Sequence, residues 1–372
     1  MVKIEKKDKS PNDKIDHDFN LKELLIEITD KCPLNCLHCS SNSNIKNNKF
    51  ISKEIIFDIL HQGKKLKAKE FQISGGEPFL HTDLLYISLK AVKMGYNISI
   101  YTSGNNYVKN KIIEISKDIF NKIEQKSNHK IIFGIHGIDK KTHEFITQKK
   151  GSYVNLLNSI RNSINAGIKT ELHFVPNKIN INQIGQLLKF AEDIGIFKVS
   201  ILRFVKHGRG DLNCNIYEIN ENIELFDLFS VLKKSYGDFL RLGSPYNPFG
   251  IEPLKRCSAG FDKLTITPNL EIYPCVAFKN IVSPVKFGKF NLIDAFKSDL
   301  FKMIRNFSIE DINDCNFCNN KNICNGGCIA QRLIQNKYWP YTKDNVCPVI
   351  NNLDYKLIEK NNVIGVYNGN RY

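Results

Sequence analysis

The sequence predicts an α/β fold in two parts, a partial (β/α)6 barrel followed by a small cysteine-rich domain. Three observations support this. Short apolar runs alternate with helical patterns over the first part of the chain. A further helical pattern, at residues 218–235, follows the last of these runs. Seven of the 11 cysteines lie in the last third of the chain. At 372 residues, the chain is long enough for one large domain and a smaller appended one.

The strand candidates are short apolar runs with helical patterns between them. They cover residues 23–29, 70–74, 97–102, 131–136, 169–175 and 198–204. Between the last two, apolar residues recur at spacings of three and four, as on one face of a helix. This alternation predicts parallel strands joined by crossover helices. Six units are too few for a closed eight-fold barrel, so we expect a partial, TIM-like (β/α)6 barrel.

The same patterns divide the chain into five segments. We expect a flexible arm at 1–20, the partial barrel over 21–215, a bridging helix and linker over 216–250, the cysteine-rich domain over 251–350 and a tail over 351–372. The arm is charged and polar, a composition typical of loosely attached segments. Within the bridging segment, the helical pattern covers residues 218–235.

The first motif is a cysteine triplet directly after the first predicted strand. Cys32, Cys36 and Cys39 have the spacing C-x3-C-x2-C within one loop. Each iron of a cubane iron–sulfur cluster normally takes one thiolate, so three ligands leave one iron free to bind something else. A structural zinc site wants four protein ligands, and the next cysteine is Cys214. Zinc is therefore the weaker alternative.

The second motif, Gly75-Gly76-Glu77-Pro78, ends the second predicted strand. With the cysteine loop, it resembles the radical SAM enzymes. The resemblance implies that the open iron is chelated by the amino and carboxylate groups of S-adenosylmethionine (SAM). It also implies that the Gly-Gly-Glu-Pro turn binds the methionine amino group, with Glu77 supporting that cation. Glycine suits the turn because it lets backbone carbonyls approach a ligand closely.

The cysteines of the last third are Cys257, Cys275, Cys315, Cys318, Cys324, Cys328 and Cys347. Taken alone, they fit a zinc module, a disulfide framework or cluster sites. Disulfides need an oxidising compartment, and the first twenty residues contain no secretory signal.

This region resembles the SPASM extension of radical SAM enzymes, which carries auxiliary iron–sulfur clusters. The resemblance implies one cluster on Cys315, Cys318, Cys324 and Cys347. A second would be held by Cys257, Cys275 and Cys328.

Two departures from the SPASM pattern affect the second cluster. Leu270 stands where the pattern usually has glycine, which leaves the type of turn before Cys275 open. Lys263 stands where some members supply an eighth cysteine. The cluster at Cys257 therefore has an open iron, a ligand other than cysteine, or a smaller core, and the sequence does not decide among these.

The resemblance also implies roles for residues at the ends of later strands. Ser103 lies where members often have Thr-Asn-Gly next to SAM, and Asn177 and Arg203 are expected to contact the SAM ribose or carboxylate. The arginine fork suits a carboxylate, but a structural ion pair explains Arg203 equally well. Cys214 is either a plain thiol, a hydrogen-atom donor or a further cluster ligand.

Two other positions have weaker expectations. His38, between two cluster ligands, is expected to pack over the cluster, and His136 either faces substrate or is structural. Arg209 lies in the turn Lys206-His-Gly-Arg-Gly210 and is a second candidate for binding a substrate carboxylate.

The chain is basic, with 53 Lys and Arg against 38 Asp and Glu and a formal net charge of +15. This charge favours an acidic partner, such as a leader peptide, a flavodoxin or ferredoxin-type reductant, or nucleic acid. A solvated basic face, offset by negatively charged clusters, is the alternative. No Arg-rich run marks a nucleic-acid platform, and no apolar run is long enough to span a bilayer. We expect a cytoplasmic protein without a membrane or nucleic-acid partner.

The resemblance implies reductive cleavage of SAM to a 5′-deoxyadenosyl radical, which abstracts hydrogen from a substrate carbon. We expect a ribosomally made peptide as substrate, receiving a crosslink, a thioether or an epimerised residue, with a separate protein to bind its leader. The alternative is a dehydrogenase, epimerase or decarboxylase acting on a small molecule such as an aminoglycoside or a tetrapyrrole. A non-enzymatic zinc- or cluster-binding module is the third. Val276 argues against sulfatase maturation, because those members have an acidic residue there.

Overall fold

The computed structural model describes residues 20–123, 129–217, 219, 222–251, 257–289, 291–316, 318, 321–324, 326–336 and 342–347. The arm predicted at 1–20, except for its last residue, and the tail predicted at 351–372 lie outside these ranges. None of the described helices has the length and apolar character needed to cross a membrane.

One large sheet organises the described chain. Its strands are β1 Glu23–Thr29, β2 Glu70–Gly75, β3 Asn97–Thr102, β6 Lys130–Gly134, β7 Lys169–Phe174, β8 Lys198–Ile201, β9 Leu240–Leu242, β10 Lys263–Ile266, β11 Glu271–Tyr273 and β12 Val285–Lys286. They lie in the order β12-β11-β10-β1-β2-β3-β6-β7-β8-β9. A separate hairpin consists of β4 Asn106–Val108 and β5 Lys111–Ile113.

The six predicted strands correspond to β1, β2, β3, β6, β7 and β8. They pair in parallel in this order, which confirms the partial barrel. The last prediction, 198–204, was too long, because β8 ends at Ile201. The hairpin that the SPASM resemblance implies over Thr265–Cys275 is formed by β10 and β11. Two parallel pairings were not predicted: β9 pairs with β8, and β10 pairs with β1. The barrel and the cysteine-rich segment therefore share one sheet.

Helices connect the strands and continue into the cysteine-rich segment. They are α1 Lys53–Lys65, α2 Leu84–Lys93, α3 Lys117–Asn121, α4 Lys140–Thr147, α5 Ser152–Asn165, α6 Ile184–Asp193, α7 Arg209–Leu212, α8 Cys214–Tyr217, α9 Asn222–Tyr236, α10 Leu292–Lys297, α11 Asp299–Asn306, α12 Lys321–Cys324 and α13 Ile329–Asn336. The predicted apolar stripe lies on α6, where Ile184, Leu187 and Leu188 are 0% exposed. The bridging helix predicted at 218–235 corresponds to α9.

The two faces of the sheet differ in chemistry because strand side chains alternate between them. Ile26, Phe71 and Phe133 belong to the core between sheet and helices and are 0% exposed. Alternate positions face the concave side and are more polar: Glu23 on β1 pairs with Lys263 on β10, with Nζ 2.9 Å from Oε2. The concave side is therefore a polar lumen, and the strand ends around it form the rim where sites of such barrels lie.

Candidate active site

The cysteine loop leaves β1 at the carboxyl end of the barrel. Its shape is fixed by backbone hydrogen bonds to a neighbouring helix: Asn35 N–H donates to Thr147 O at 3.1 Å, and Leu37 N–H donates to Ile146 O at 2.9 Å. Both acceptors lie at the end of α4. Cys32 is buried, while Cys36 and Cys39 are half-buried, so the loop presents three thiols at the rim.

The thiols of this loop are free and largely desolvated. None of the eleven cysteines forms a disulfide, which argues against the disulfide framework. Burial raises the pKa of Cys36 to about 12, and it raises the pKa of Cys32 well above its usual value. Thiols in such surroundings become thiolates only when a bound cation compensates for their charge.

Among the described residues, no three Cys, His, Asp or Glu side chains converge on a position for a single metal ion. Four thiolates on one zinc stand only about 3.8 Å apart, since each Zn–S bond is about 2.3 Å long. In a cluster each thiolate binds its own iron, so the sulfurs stand farther apart.

The turn after β2 packs directly on the cysteine loop. Gly76 N–H donates to Thr29 O at 2.7 Å, and Glu77 N–H donates to Lys31 O at 2.8 Å. A Cβ atom at position 76 would lie 2.1 Å from Lys31 O, and one at position 75 would lie 2.3 Å from Thr29 O. Gly75 also has a φ of +134°. Both glycines are therefore needed for this close approach.

Glu77 connects this turn to the end of β3. Its carboxylate is 0% exposed and accepts hydrogen bonds from Thr102 Oγ1 at 2.7 Å, from Ser103 N and Oγ at 2.8 and 2.5 Å, and from Phe79 N at 3.2 Å. Burial raises the pKa of this carboxyl, and the four donors oppose the rise. Since a carboxylate has about four acceptor positions, Glu77 acts here by holding Ser103 against the Gly75–Gly76 turn.

Three histidine rings follow one another from the cysteine loop to α4. The rings of His38 and His136 are 4.6 Å apart, and those of His136 and His143 are 5.3 Å apart. Burial lowers the pKa of His38 to about 4 and that of His143 to about 3, so these rings are neutral near pH 7. They form a non-ionic wall beside the loop, and the packing of His38 over a cluster stays a prediction.

Two predicted cofactor contacts have other partners. Asn177 is 2% exposed; its Oδ1 accepts from Ile179 N at 2.9 Å and its Nδ2 donates to Val175 O, so the side chain shapes its own turn. Arg203 forms an ion pair with Asp344, with Nη1 2.8 Å from Oδ1, and also donates to Asn345 Oδ1. Of the two roles expected for Arg203, the structure therefore shows the structural ion pair.

Cys214 begins α8 at the rim and is half-buried. Its thiol contacts Asn215 Oδ1 at 3.7 Å. The preceding residue, Asn213, donates a hydrogen bond to Leu37 O in the cysteine loop at 3.0 Å. Cys214 is therefore close in sequence to a contact with the loop, and its role stays a prediction.

The seven remaining cysteines fall into two groups by their mutual electrostatic effects. In one group, burial raises the pKa of Cys275 to about 12, with the charges of Cys257 and Cys328 adding to the rise. In the other, burial raises the pKa of Cys315 to about 11, with contributions from Cys324, Cys347 and Cys318. These are the two sets that the SPASM resemblance implies.

The departures from that pattern have structural answers. Leu270 adopts a φ of +59°, so the turn keeps the left-handed conformation that glycine would favour. The ammonium of Lys263 pairs with Glu23 Oε2 at 2.9 Å, and its charge also reaches Cys275, where it lowers the pKa of the thiol against the effect of burial.

Two pockets open at the rim. One, with a cavity volume of about 100 Å³, lies between β1, the cysteine loop and the hairpin of the cysteine-rich segment. It contains an ion pair that the sequence analysis missed, Lys279 Nζ with Glu27 Oε1 at 2.5 Å, bridged by Ser41. The alternation along β1 could have identified Glu27 as a lumen residue, but nothing in the sequence indicates its partner. A second pocket, with a cavity volume of about 240 Å³, lies between the end of β8 and α13 and includes Arg203 and Gln331.

Arg209 was expected to bind a substrate carboxylate, but its guanidinium is used within the protein. Nε donates to Cys36 O at 2.8 Å, and Nη2 donates to Ser43 O at 2.7 Å. Both acceptors are backbone carbonyls of the cysteine loop, so this side chain braces the loop.

Comparison with known sequences places residues 26–191 in the Radical SAM superfamily. A probable GTP 3′,8-cyclase of Saccharolobus solfataricus (strain ATCC 35092 / DSM 1617 / JCM 11322 / P2) is 23% identical over 222 residues, which span 58% of this chain and 69% of that protein. A corresponding protein of Saccharolobus islandicus (strain L.S.2.15 / Lassen #1), also named probable GTP 3′,8-cyclase, is 24% identical over the same shares.

Solved structures extend the likeness in fold to most of the chain. Streptococcus suis SuiB bound to S-adenosylmethionine matches with a TM-score of 0.70 at 20% identity, over 88% of this chain and 77% of SuiB. The protein anSMEcpe with bound AdoMet matches with a TM-score of 0.70 at 13% identity, over 92% of this chain and 98% of that one. The solved structures show that the fold is shared over most of the chain. The match of residues 26–191 shows that this part of the chain is a radical SAM domain, a family that implies a [4Fe–4S] cluster and SAM as cofactors.

Proposed function

We propose that this radical SAM enzyme modifies a ribosomally made peptide. The observation that carries the chemistry is the docking of the Gly75–Glu77 turn onto the cysteine loop, through two hydrogen bonds of 2.7 and 2.8 Å. This contact brings a three-thiol loop and a glycine turn to one point on the rim of a polar lumen. A structural zinc site needs no such turn.

The residues present fit the cofactors. Cys32, Cys36 and Cys39 would hold the [4Fe–4S] cluster, and the turn of Gly75, Gly76, Glu77 and Pro78 would face the methionine end of SAM. Ser103, held by Glu77, would lie beside it. When bound, the cluster and SAM supply a 5′-deoxyadenosyl radical that abstracts hydrogen from carbon. The protein's part is to orient the substrate carbon and to exclude water.

Auxiliary clusters are proposed for the two cysteine groups. Cys257, Cys275 and Cys328 form a three-thiol group, which leaves one position for a different ligand. Cys315, Cys318, Cys324 and Cys347 form a complete four-thiol set. The grouping of their electrostatic interactions supports this division.

A peptide substrate is favoured by two observations. The pocket of about 240 Å³ between β8 and α13 combines apolar side chains with Arg203 and Gln331, a lining suited to a chain of mixed polarity. A protein of similar fold, SuiB, has been solved bound to its precursor peptide SuiA, with a TM-score of 0.69 to this chain at 20% identity. A flavodoxin or ferredoxin-type reductant and a separate leader-binding protein remain part of the proposal.

A small-molecule substrate is the second candidate. It is favoured by the relatives named probable GTP 3′,8-cyclase, whose similarity spans 58% of this chain. Under this alternative, the chain would turn over a nucleotide, sugar or tetrapyrrole and leave peptides unchanged.

The test is an intact-mass comparison. The enzyme is coexpressed anaerobically with a short peptide encoded beside it, and the peptide is weighed after growth in water and in deuterated water. Loss of two hydrogens indicates oxidative crosslinking. One non-exchangeable deuterium without other change indicates epimerisation and assigns Cys214 as hydrogen donor, to be checked with Cys214→Ala. An unchanged peptide in both solvents contradicts the peptide proposal.

The cofactor assignment has its own test. The triple variant C32A/C36A/C39A is expected to lose deoxyadenosine formation and the iron of one cluster, while keeping the iron of the auxiliary groups. Arg161→Met, on the exposed face of α5, is the control for iron content. Deoxyadenosine formation by the triple variant would refute the assignment.

A further inference from the structure

The segment between β8 and α8 crosses the rim from the barrel to the cysteine-rich segment. We call residues 203–213 the strap. Apart from the short helix α7, it has no regular structure, and its backbone comes unusually close to the cysteine loop. A Cβ atom at Gly208, where φ is +55°, would lie 2.7 Å from Cys39 O.

At one end, the strap donates hydrogen bonds to backbone carbonyl groups of the cysteine loop. Arg209 donates from Nε to Cys36 O at 2.8 Å, from Nη2 to Ser43 O at 2.7 Å and from its own N–H to Cys39 O at 3.1 Å. Asn213 Nδ2 donates to Leu37 O at 3.0 Å. Four carbonyls of one loop are thus held by two residues.

At the other end, the strap contacts the backbone beside the auxiliary group of Cys257, Cys275 and Cys328, and its partner Asp344 accepts from Cys347 N of the other group at 2.9 Å. The ring Nε2 of His207 lies 2.7 Å from Ala277 O, two residues after Cys275. Arg203 pairs with Asp344 at 2.8 Å, and Asp344 in turn accepts a hydrogen bond from Cys328 N at 2.9 Å.

The contacts of Arg209 have two consequences for a cluster in this loop. Its fork fixes the loop's curvature, since two carbonyls must face one guanidinium. Its charge lies directly against the peptide of Cys36, where the field of a partly buried cation is weakly screened. A cation at that position stabilises the extra electron of a reduced cluster.

We propose that Arg209 is a positioning residue for the N-terminal cluster: its guanidinium shapes the cysteine loop for SAM and raises the reduction potential of the cluster held there. This inference rests on the proposed role of Cys32, Cys36 and Cys39. Through Arg203 and His207, the strap aligns that loop with the auxiliary cysteines.

The test compares Arg209→Met with Arg209→Lys in anaerobically reconstituted full-length protein. Iron per chain, the EPR-monitored midpoint potential and the EPR change on adding SAM are measured. We expect R209M to keep the auxiliary iron, to bind SAM at least tenfold more weakly, and to have a midpoint lower by at least 59 mV, a tenfold change for one electron. R209K, which keeps the charge but not the fork, should lose SAM affinity with a smaller shift in potential.

Arg161→Met is the control, because Arg161 lies on the exposed face of α5 and contacts Asn158. If R209M has the same potential and SAM affinity as R161M, the inference is wrong. Should R209M fail to fold by circular dichroism, R209K and Asn213→Ala decide, and wild-type SAM affinity in both would overturn it. If C36A leaves iron content and EPR unchanged, it is the proposed function that fails.

Discussion

The guanidinium of Arg203 lies 2.8 Å from the carboxylate of Asp344, and their side chains are 7% and 2% exposed. Arg203 lies two residues after the end of β8, and Asp344 lies three residues before Cys347. Asp344 also accepts hydrogen bonds from the backbone of Cys328 and Val346. A single buried ion pair thus connects the barrel to the backbone beside both auxiliary cysteine groups.

Asp344→Asn should destabilise this junction strongly. Removing one partner leaves the Arg203 cation buried without its counter-charge, which costs about 3–5 kcal/mol in other proteins. We expect the urea midpoint, followed by circular dichroism, to fall accordingly. Asp193→Asn removes a partner from the exposed pair with Lys189 and should leave the midpoint unchanged. Equal midpoints in the two variants would show that the pair is not a stabilising junction.

Gly76→Ala should separate the glycine turn from the cysteine loop. The added Cβ would lie 2.1 Å from Lys31 O, a backbone atom that can yield only if the loop moves. We expect anaerobic SAM binding, measured by equilibrium dialysis, to be lost. The control is Gly185→Ala on α6, where no atom lies within 4 Å of the added Cβ, and which should be stabilised by up to about 1 kcal/mol. Wild-type SAM affinity in G76A would contradict the docking of the turn as a requirement for binding.

Glu77→Gln should weaken SAM binding while keeping the side chain's size. The amide nitrogen cannot accept the hydrogen bonds now donated by Thr102 and Ser103, and each unsatisfied buried group costs about 1–3 kcal/mol. We expect at least a tenfold loss of SAM affinity by the same dialysis. Glu54→Gln, on the exposed face of α1, is the matched control. Unaltered affinity in E77Q would mean that Ser103 is not held in place for the cofactor.

His143 should make the fold sensitive to acid. Its pKa is lowered to about 3 by burial, and the side chain is 1% exposed. Between this value and the unfolded value near 6.5, the unfolded chain binds the proton and the native state does not, so stability falls as pH falls. From pH 7 to pH 5, His143 alone should remove about 2 kcal/mol. His143→Phe should reduce the pH dependence of the unfolding free energy by that amount, and an unchanged dependence would refute the assignment.

The regular part of the fold could be predicted because local pattern determines it. The apolar runs that become β1, β2, β3, β6, β7 and β8 are bounded by turn residues and separated by helical stripes. The strand β9 and the pairing of β10 with β1 could not be found in this way, because these strands have only three and four residues. They are strands because β8 and β1 offer them an unpaired edge, and that edge exists only in the folded sheet.

The sequence likewise predicted one part of the candidate site and missed another. Cysteine spacing and the Gly75–Gly76 pair are visible in sequence because the chemistry demands those residue types there. The roles of Arg209 and Arg203 were not predictable to the same degree. Arg209 binds backbone carbonyls, which leave no trace in the sequence, and the partner of Arg203 is 141 residues away.

Strand β10 pairs in parallel with β1, with Glu23 opposite Lys263. This pairing constrains the order in which the strands of the sheet can come together during synthesis. Because the partner of the first strand is encoded about 240 residues later, one edge of β1 stays open during most of synthesis on the ribosome. Contacts of such sequence separation form slowly, and open strand edges promote aggregation. The barrel can complete its sheet only after residue 266 has emerged, so β1 is expected to gain its second neighbour late in folding.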